Sequence, residues 1–107
     1  MRFHPLEKLI NLHNEYRREF KIDGYRLLLI QRQDELFLVE ALCPHREHAL
    51  INASFDDRAI VCPVHQYAFS LDSGRVLRAN EQRCRGLRTF RVEYEGNEVG
   101  VLLEDLP

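Results

Sequence analysis

Two short knuckles constrain this chain more than anything else in it: Cys43-Pro44-His45 and Cys62-Pro63-Val64-His65. Each sets one thiol and one imidazole within a few residues of each other. Each also has proline directly after its cysteine, and proline fixes φ and stiffens the loop there. For both knuckles to serve one centre, the segment between them must fold back so that two loops converge. Two sulfurs and two nitrogens suit a [2Fe–2S] centre in which one iron keeps two cysteines and the other takes two histidines. They also suit a structural zinc ion. Common zinc patterns pair like with like, a cysteine knuckle followed by a histidine knuckle, whereas here the two types are interleaved.

The pattern C-x-H…C-x-x-H resembles that of the Rieske family, and the likeness extends past the four donors. Cys43-Pro-His-Arg-Glu-His-Ala-Leu50 resembles the family's first cluster loop. Cys62-Pro-Val-His-Gln-Tyr-Ala-Phe69 resembles the second, and Leu71-Asp72-Ser73-Gly74 matches the turn that follows it. The similarity covers nearly the whole chain and is specific between about residues 41 and 74. It implies Cys43, His45, Cys62 and His65 as ligands of one [2Fe–2S] cluster. Two positions depart from the family pattern. Gln66 stands where glycine usually follows the second histidine, and Ala53 stands where glycine is common near the end of the first loop. Glycine permits φ > 0 and close backbone approach, so the path of both loops is a question for the structure.

Length and charge limit the alternatives. A chain of 107 residues suits one small domain, taken here as residues 1–107. Net charge is −2, with both signs interspersed, which does not suggest nucleic-acid binding. The most basic stretch, Arg83 to Arg91, reads as a solvated face. The N-terminal residues lack the apolar core of a secretory signal. No apolar run approaches the roughly 20 residues that span a bilayer. A cytoplasmic protein without its own membrane anchor is expected. Of three cysteines, Cys84 is left over once Cys43 and Cys62 are assigned. The family's respiratory branch bridges an extra cysteine from each loop, and the matching positions here hold other residues. No disulfide is expected beside the cluster.

The rest of the chain reads as short strands with turn punctuation. Tyr25–Ile30 and Leu36–Ala41 flank a polar turn, as do Ala68–Leu71 and Arg75–Leu77. Arg58–Val61 leads into the second knuckle. Leu87–Tyr94 and Glu98–Leu103 flank Glu95-Gly96-Asn97, and in the first of these Phe90, Val92 and Tyr94 share one face. Near the N-terminus the resemblance implies a short helical turn at Leu6–Leu9 and a strand over Tyr16–Ile22. The fold class expected is all-β, a small antiparallel sandwich or barrel carrying a two-loop cluster subdomain.

Several residues near the motif have ordinary readings. His48 suits the loop rim, His4 and His13 the surface, and Cys84 a small, partly buried apolar role. Phe69, Leu71 and Phe90 read as core. In high-potential members of the family a serine and a tyrosine hydroxyl donate to the cluster sulfurs; the matching positions here are Tyr67 and Phe69. Phe69 cannot donate and Tyr67 is too long to replace serine, which implies a potential toward the low end of the family's range.

The function implied is a Rieske-type ferredoxin, a carrier and not an enzyme. It would take one electron from a flavin reductase and pass it to a terminal oxygenase, with no small-molecule substrate of its own. Alternatives are a small subunit of an assimilatory nitrite reductase and a structural metal-binding interaction module.

Overall fold

Tyr25-Arg-Leu-Leu-Leu-Ile-Gln-Arg32 is the organising strand, because its apolar residues are consecutive rather than alternating. A strand reads that way when both of its faces are buried. In the computed structural model, which describes residues 2–79 and 83–106, Leu27, Leu28, Leu29 and Ile30 are all at most 1% exposed. The strands, in chain order, are β1 (Phe3–Lys8), β2 (Arg17–Ile22), β3 (Tyr25–Arg32), β4 (Glu35–Glu40), β5 (Ser54–Asp56), β6 (Ala59–Val61), β7 (Ala68–Ser70), β8 (Val76–Arg78), β9 (Thr89–Phe90), β10 (Glu93–Glu95) and β11 (Glu98–Leu102). They form three antiparallel sheets, ordered β1-β11-β10, β2-β3-β4-β9 and β5-β6-β7-β8. The expected all-β antiparallel architecture is present.

Two hairpins set the central sheet. Asp23-Gly24 joins β2 to β3 and Gln33-Asp34 joins β3 to β4, and all four residues have φ between 48° and 89°. Two-residue loops with both φ positive match the right-handed twist of the strands they connect. The central sheet then divides the interior in two. Leu28 and Ile30 of β3, with Phe37 and Val39 of β4, face a core that contains Leu50, Ile60, Phe69 and both knuckle cysteines. Leu27 and Leu29, with Leu38, face a second core shared with Val99 and Val101 of β11. Each fully buried leucine contributes about 1.5–3 kcal/mol, so β3 works for both cores at once.

The third sheet is an excursion from the central one. The chain leaves at the end of β4 and returns to pair β9 with β4, and the Glu40 N–H donates to the Arg88 carbonyl at 2.9 Å across that neck. Gly74 locks the return. Its φ is +78°, its N–H donates to Ser70 and its carbonyl accepts from Leu87. A Cβ there would lie 1.8 Å from the Leu87 oxygen, so only glycine fits.

Some elements differ from expectation. Residues Phe3–Lys8 are a strand paired with β11, with a bulge between Pro5 and Glu7, and the helical turn follows at Leu9–Asn11. Proline is tolerated on an edge strand because its missing N–H breaks no inner ladder bond. Leu87–Tyr94 is not one strand. It breaks at Arg91–Val92, where the chain passes from the central sheet to β10, so Phe90 and Val92 pack on the second core while Tyr94 is 62% exposed. β5 was too short to announce itself by periodicity.

Candidate functional site

Both knuckles sit at hairpin-like ends of the third sheet. The first loop runs from residue 41 to 53, between β4 and β5. The Cys43 N–H donates to the His48 carbonyl at 2.7 Å, the Glu47 N–H donates to the Cys43 carbonyl at 2.6 Å, and Leu42 bridges Ala49. The second loop spans residues 62–67 between β6 and β7, closed by the Cys62 N–H donating to the Tyr67 carbonyl at 2.7 Å. Each loop is thus a small ring tied at its base, with a cysteine at the tie.

The structure brings the predicted donors together as two pairs, cysteine with cysteine and histidine with histidine. Cys43 and Cys62 are fully buried, and their thiols are in hydrogen-bonding contact. The rings of His45 and His65 lie 5.3 Å apart, edge to face at 86°. Among the described residues no three His, Cys, Asp or Glu side chains converge as a single-ion site requires. Backbone N–H groups of His45 and Arg46 donate to the Cys43 sulfur. Even so, the Cys43 thiol is pushed up to about 12, first by burial and then by the neighbouring Cys62. In water that thiol stays protonated, and a metal centre must displace the proton to bind it.

The histidines differ in environment. His65 is exposed, while His45 is half-buried with both ring nitrogens inside the protein. Tyr67 is the reason. Its ring stacks on His45 at 4.0 Å and 15°, and is itself 0% exposed. Sequence reasoning placed Tyr67 near the cluster only as the residue at the position of a serine donor, too long to replace it. Its place as a wall beneath His45 carried no separate signal.

The loop paths answer the two questions raised by the sequence. His65 and Gln66 have φ of 66° and 58°, so the second loop keeps a left-handed path without glycine. Ala53 is buried at 2% exposure and is not among the positive-φ residues, so glycine is not needed there. His48 lies on the rim, its ring 6.4 Å from His65. His13 packs on Tyr16 and His4 lies in β1, neither of them in a knuckle loop. Cys84 is half-buried against the first core, and burial raises its thiol. All three cysteines are free thiols.

Two arginines tie the loops to the sandwich. The Arg17 guanidinium donates to the carbonyls of Ile51 and Ala53, at 3.1 and 2.6 Å, and lies 4.6 Å over Phe55. Arg58 forks to Glu35 and Asp72, joining the start of β4 to the turn after β7. Neither role shows in the sequence, because both depend on which carbonyls and carboxylates the fold brings near.

The family profile of the Rieske [2Fe–2S] domain matches residues 3–93. The ferredoxin component of a naphthalene 1,2-dioxygenase system from Pseudomonas aeruginosa is 30% identical over 78 residues, 73% of each chain. The ferredoxin component of biphenyl 2,3-dioxygenase from Rhodococcus jostii is 33% identical over 70 residues, 65% of this chain and 64% of that one. Among solved structures, the ferredoxin of carbazole 1,9a-dioxygenase from Nocardioides aromaticivorans superposes with a TM-score of 0.79 at 22% identity, over 94% of this chain and 96% of its own. A nitrite reductase small subunit does so with a TM-score of 0.75 at 22% identity, over 95% and 99%. At such identities the structural likenesses establish the fold.

Proposed function

This chain belongs to the Rieske [2Fe–2S] domain family, and from that premise we propose that Cys43, His45, Cys62 and His65 ligate its single cluster. The protein is a Rieske-type ferredoxin, an electron carrier with no catalysis of its own. It takes electrons from a flavin reductase and delivers them to a terminal oxygenase, a reading supported by its likeness to ferredoxin components of dioxygenase systems. We assign residues 1–107 to one domain with its cluster-binding part at about 41–74. A cytoplasmic setting accords with three free cysteines. Among the described residues no helix is long and apolar enough to cross a membrane.

The observation that carries the reading is the sorting of donors into a buried thiol pair and a separate imidazole pair, of which His65 is exposed. A zinc ion would draw all four onto one point; a two-iron centre needs two pairs. When bound, the cluster supplies a reversible one-electron change. The chain's residues do the rest. The two tied loops fix the spacing of the cysteines, the amides of His45 and Arg46 donate to sulfur, and Leu50, Ile60 and Phe69 keep water from the thiol side. His65 lies at the exposed edge, where a partner can approach. Phe69 brings no hydroxyl, so we place the potential in the lower part of the family's span of about −150 to +300 mV.

The test is spectroscopic. Purified protein should show the absorption and low average g-value of a cluster with mixed sulfur and nitrogen ligation. Alanine at Cys43, His45, Cys62 or His65 should abolish both signals, while Cys84→Ser should keep them. A zinc-loaded, colourless protein, or a colourless Cys84→Ser variant, would sink the assignment. The relatives at 30% and 33% identity are dioxygenase ferredoxins, which favours the carrier over the nitrite reductase subunit.

A further inference from the structure

The charges of this protein are sorted along its chain. Residues 41–88, the excursion that bears both knuckles, hold seven arginines against five acids; the remainder holds eight basic residues against twelve acidic ones. A chain with a net charge of −2 therefore has a positive segment at its candidate site. Five of the remaining acids lie away from the third sheet: Glu93, Glu95 and Glu98 on the β10–β11 hairpin, and Glu104 and Asp105 in the helical turn after β11.

The positive charge is gathered beside the first loop. A groove of about 560 Å³ runs along Cys43, Pro44 and His45, and its charged lining is Arg26, Arg46, Arg85, Arg88, Glu40 and Glu47. Glu40 is engaged by Arg85 at 3.0 Å, and Arg26 is engaged by Glu19 at 2.7 Å. Arg88 is exposed and makes no ion pair among the described residues. With Glu19 counted beside Arg26, four guanidinium groups face three carboxylates, and the exposed Arg88 keeps the balance of the groove positive. Low-dielectric walls concentrate the field of such a cleft, and guanidinium forks match carboxylate geometry.

We propose that this groove is the docking surface for an acidic face of the protein's redox partner, with Arg88 receiving a carboxylate side chain and so steering the partner onto the His45–His65 edge. The proposal rests on the carrier reading above. It adds the sign of the encounter, which the net charge alone would give wrongly. The occupant is a protein surface rich in aspartate and glutamate. A nucleic acid is disfavoured, because the groove is short and the rest of the molecule is negative.

The experiment uses the loaded, dithionite-reduced protein and two one-electron oxidants of opposite charge, ferricyanide and hexaamminecobalt(III), in stopped flow. Oxidation by ferricyanide should slow about threefold or more as ionic strength rises from about 0.01 to 0.3 M, because screening removes the attraction. Oxidation by the cobalt complex should quicken. In R88E, and more weakly in R88Q, the ferricyanide rate at low salt should fall and the cobalt rate should rise. A change in driving force would move both rates in the same direction, so opposite movement isolates the local field. Hexaglutamate should inhibit ferricyanide oxidation of the unaltered protein and not of R88E, while hexalysine should not inhibit it. Ferricyanide rates that climb with salt, rates that move together in R88E, or inhibition by hexalysine instead would overturn the docking surface and leave the carrier reading standing. Failure to transfer any electron would overturn the carrier reading itself.

Discussion

His65 and Gln66 hold a left-handed backbone at φ of 66° and 58°, and a side chain in that region costs about 1–2 kcal/mol. Gln66 tolerates it because its Cβ is unbranched and its side chain reaches solvent. The expected order of stability at this position is therefore glycine at or above glutamine, with valine about 1–2 kcal/mol below. Urea unfolding of the loaded Gln66→Gly and Gln66→Val proteins measures this. Equal midpoints for valine and glutamine would mean that the loop relaxes out of the left-handed region. The same pair shows what a sequence can and cannot disclose. The departure from glycine was visible, but its cost depends on φ, which only the fold supplies. The four donors were legible because ligand chemistry dictates residue type and short spacing. The stacking of Tyr67 on His45 was not, since it depends on where β7 begins relative to the first loop.

The β5–β8 sheet is small, and its strands are three residues each. Sheets of this size are marginal on their own, so their attachment to the sandwich matters. Phe55 of β5 lies under two guanidinium groups, Arg17 at 4.6 Å and Arg32 at 4.7 Å, and Arg17 also holds the carbonyls of Ile51 and Ala53. Arg17→Leu should cost about 1–3 kcal/mol, since it leaves two carbonyls without their charged donor. It should also hasten bleaching of the chromophore on warming. Arg17→Lys should recover less than half of the loss, because an ammonium lacks the planar fork. Full recovery by lysine would mean that charge, not fork geometry, holds the loop. At this scale the long strands were legible from their apolar runs. The short ones, β5 and β9, were not. Their boundaries are set by the neighbours they pair with, and the Leu87–Tyr94 segment divides because two different sheets claim its halves.

For the whole molecule, acid stability should report one partly buried, multiply hydrogen-bonded carboxylate. The Glu7 side chain is about nine-tenths buried at the junction of β1 with β2. It accepts from Asn11 at 2.9 Å, Tyr16 at 2.7 Å and the Lys8 amide at 2.8 Å, with Arg18 farther off at 3.5 Å. These donors, Asn11 foremost, lower its pKa to about 2. A carboxyl whose folded pKa is depressed releases its proton more readily in the folded state. Its stabilisation is thus complete above the unfolded value of about 4.3 and fades as pH falls toward 2. Glu7→Gln should lose about 1–2 kcal/mol at pH 7 and show a shallower decline between pH 5 and 2.5 than the unaltered protein. Parallel decline in urea titrations of the two proteins would show that Glu7 is not the group responsible.

The neck between β4 and β9 has a further consequence for protein engineering. Because the excursion starts and ends on adjacent strands, residues 41–87 look like a cassette that could be lifted onto another β-sandwich by splicing at one hydrogen-bonded pair, Glu40 and Arg88. The floor of the cassette is not inside it, however. Leu28, Ile30, Phe37 and Val39 belong to the host strands and pack beneath Cys43 and Cys62. A graft of the loop segment alone would lay its thiols over whatever side chains the new host offers, and would also leave those four hydrophobic residues bare in the donor. Transplantation of this redox site should therefore succeed only when the recipient strands are rewritten to carry the same four side chains on the face below the splice.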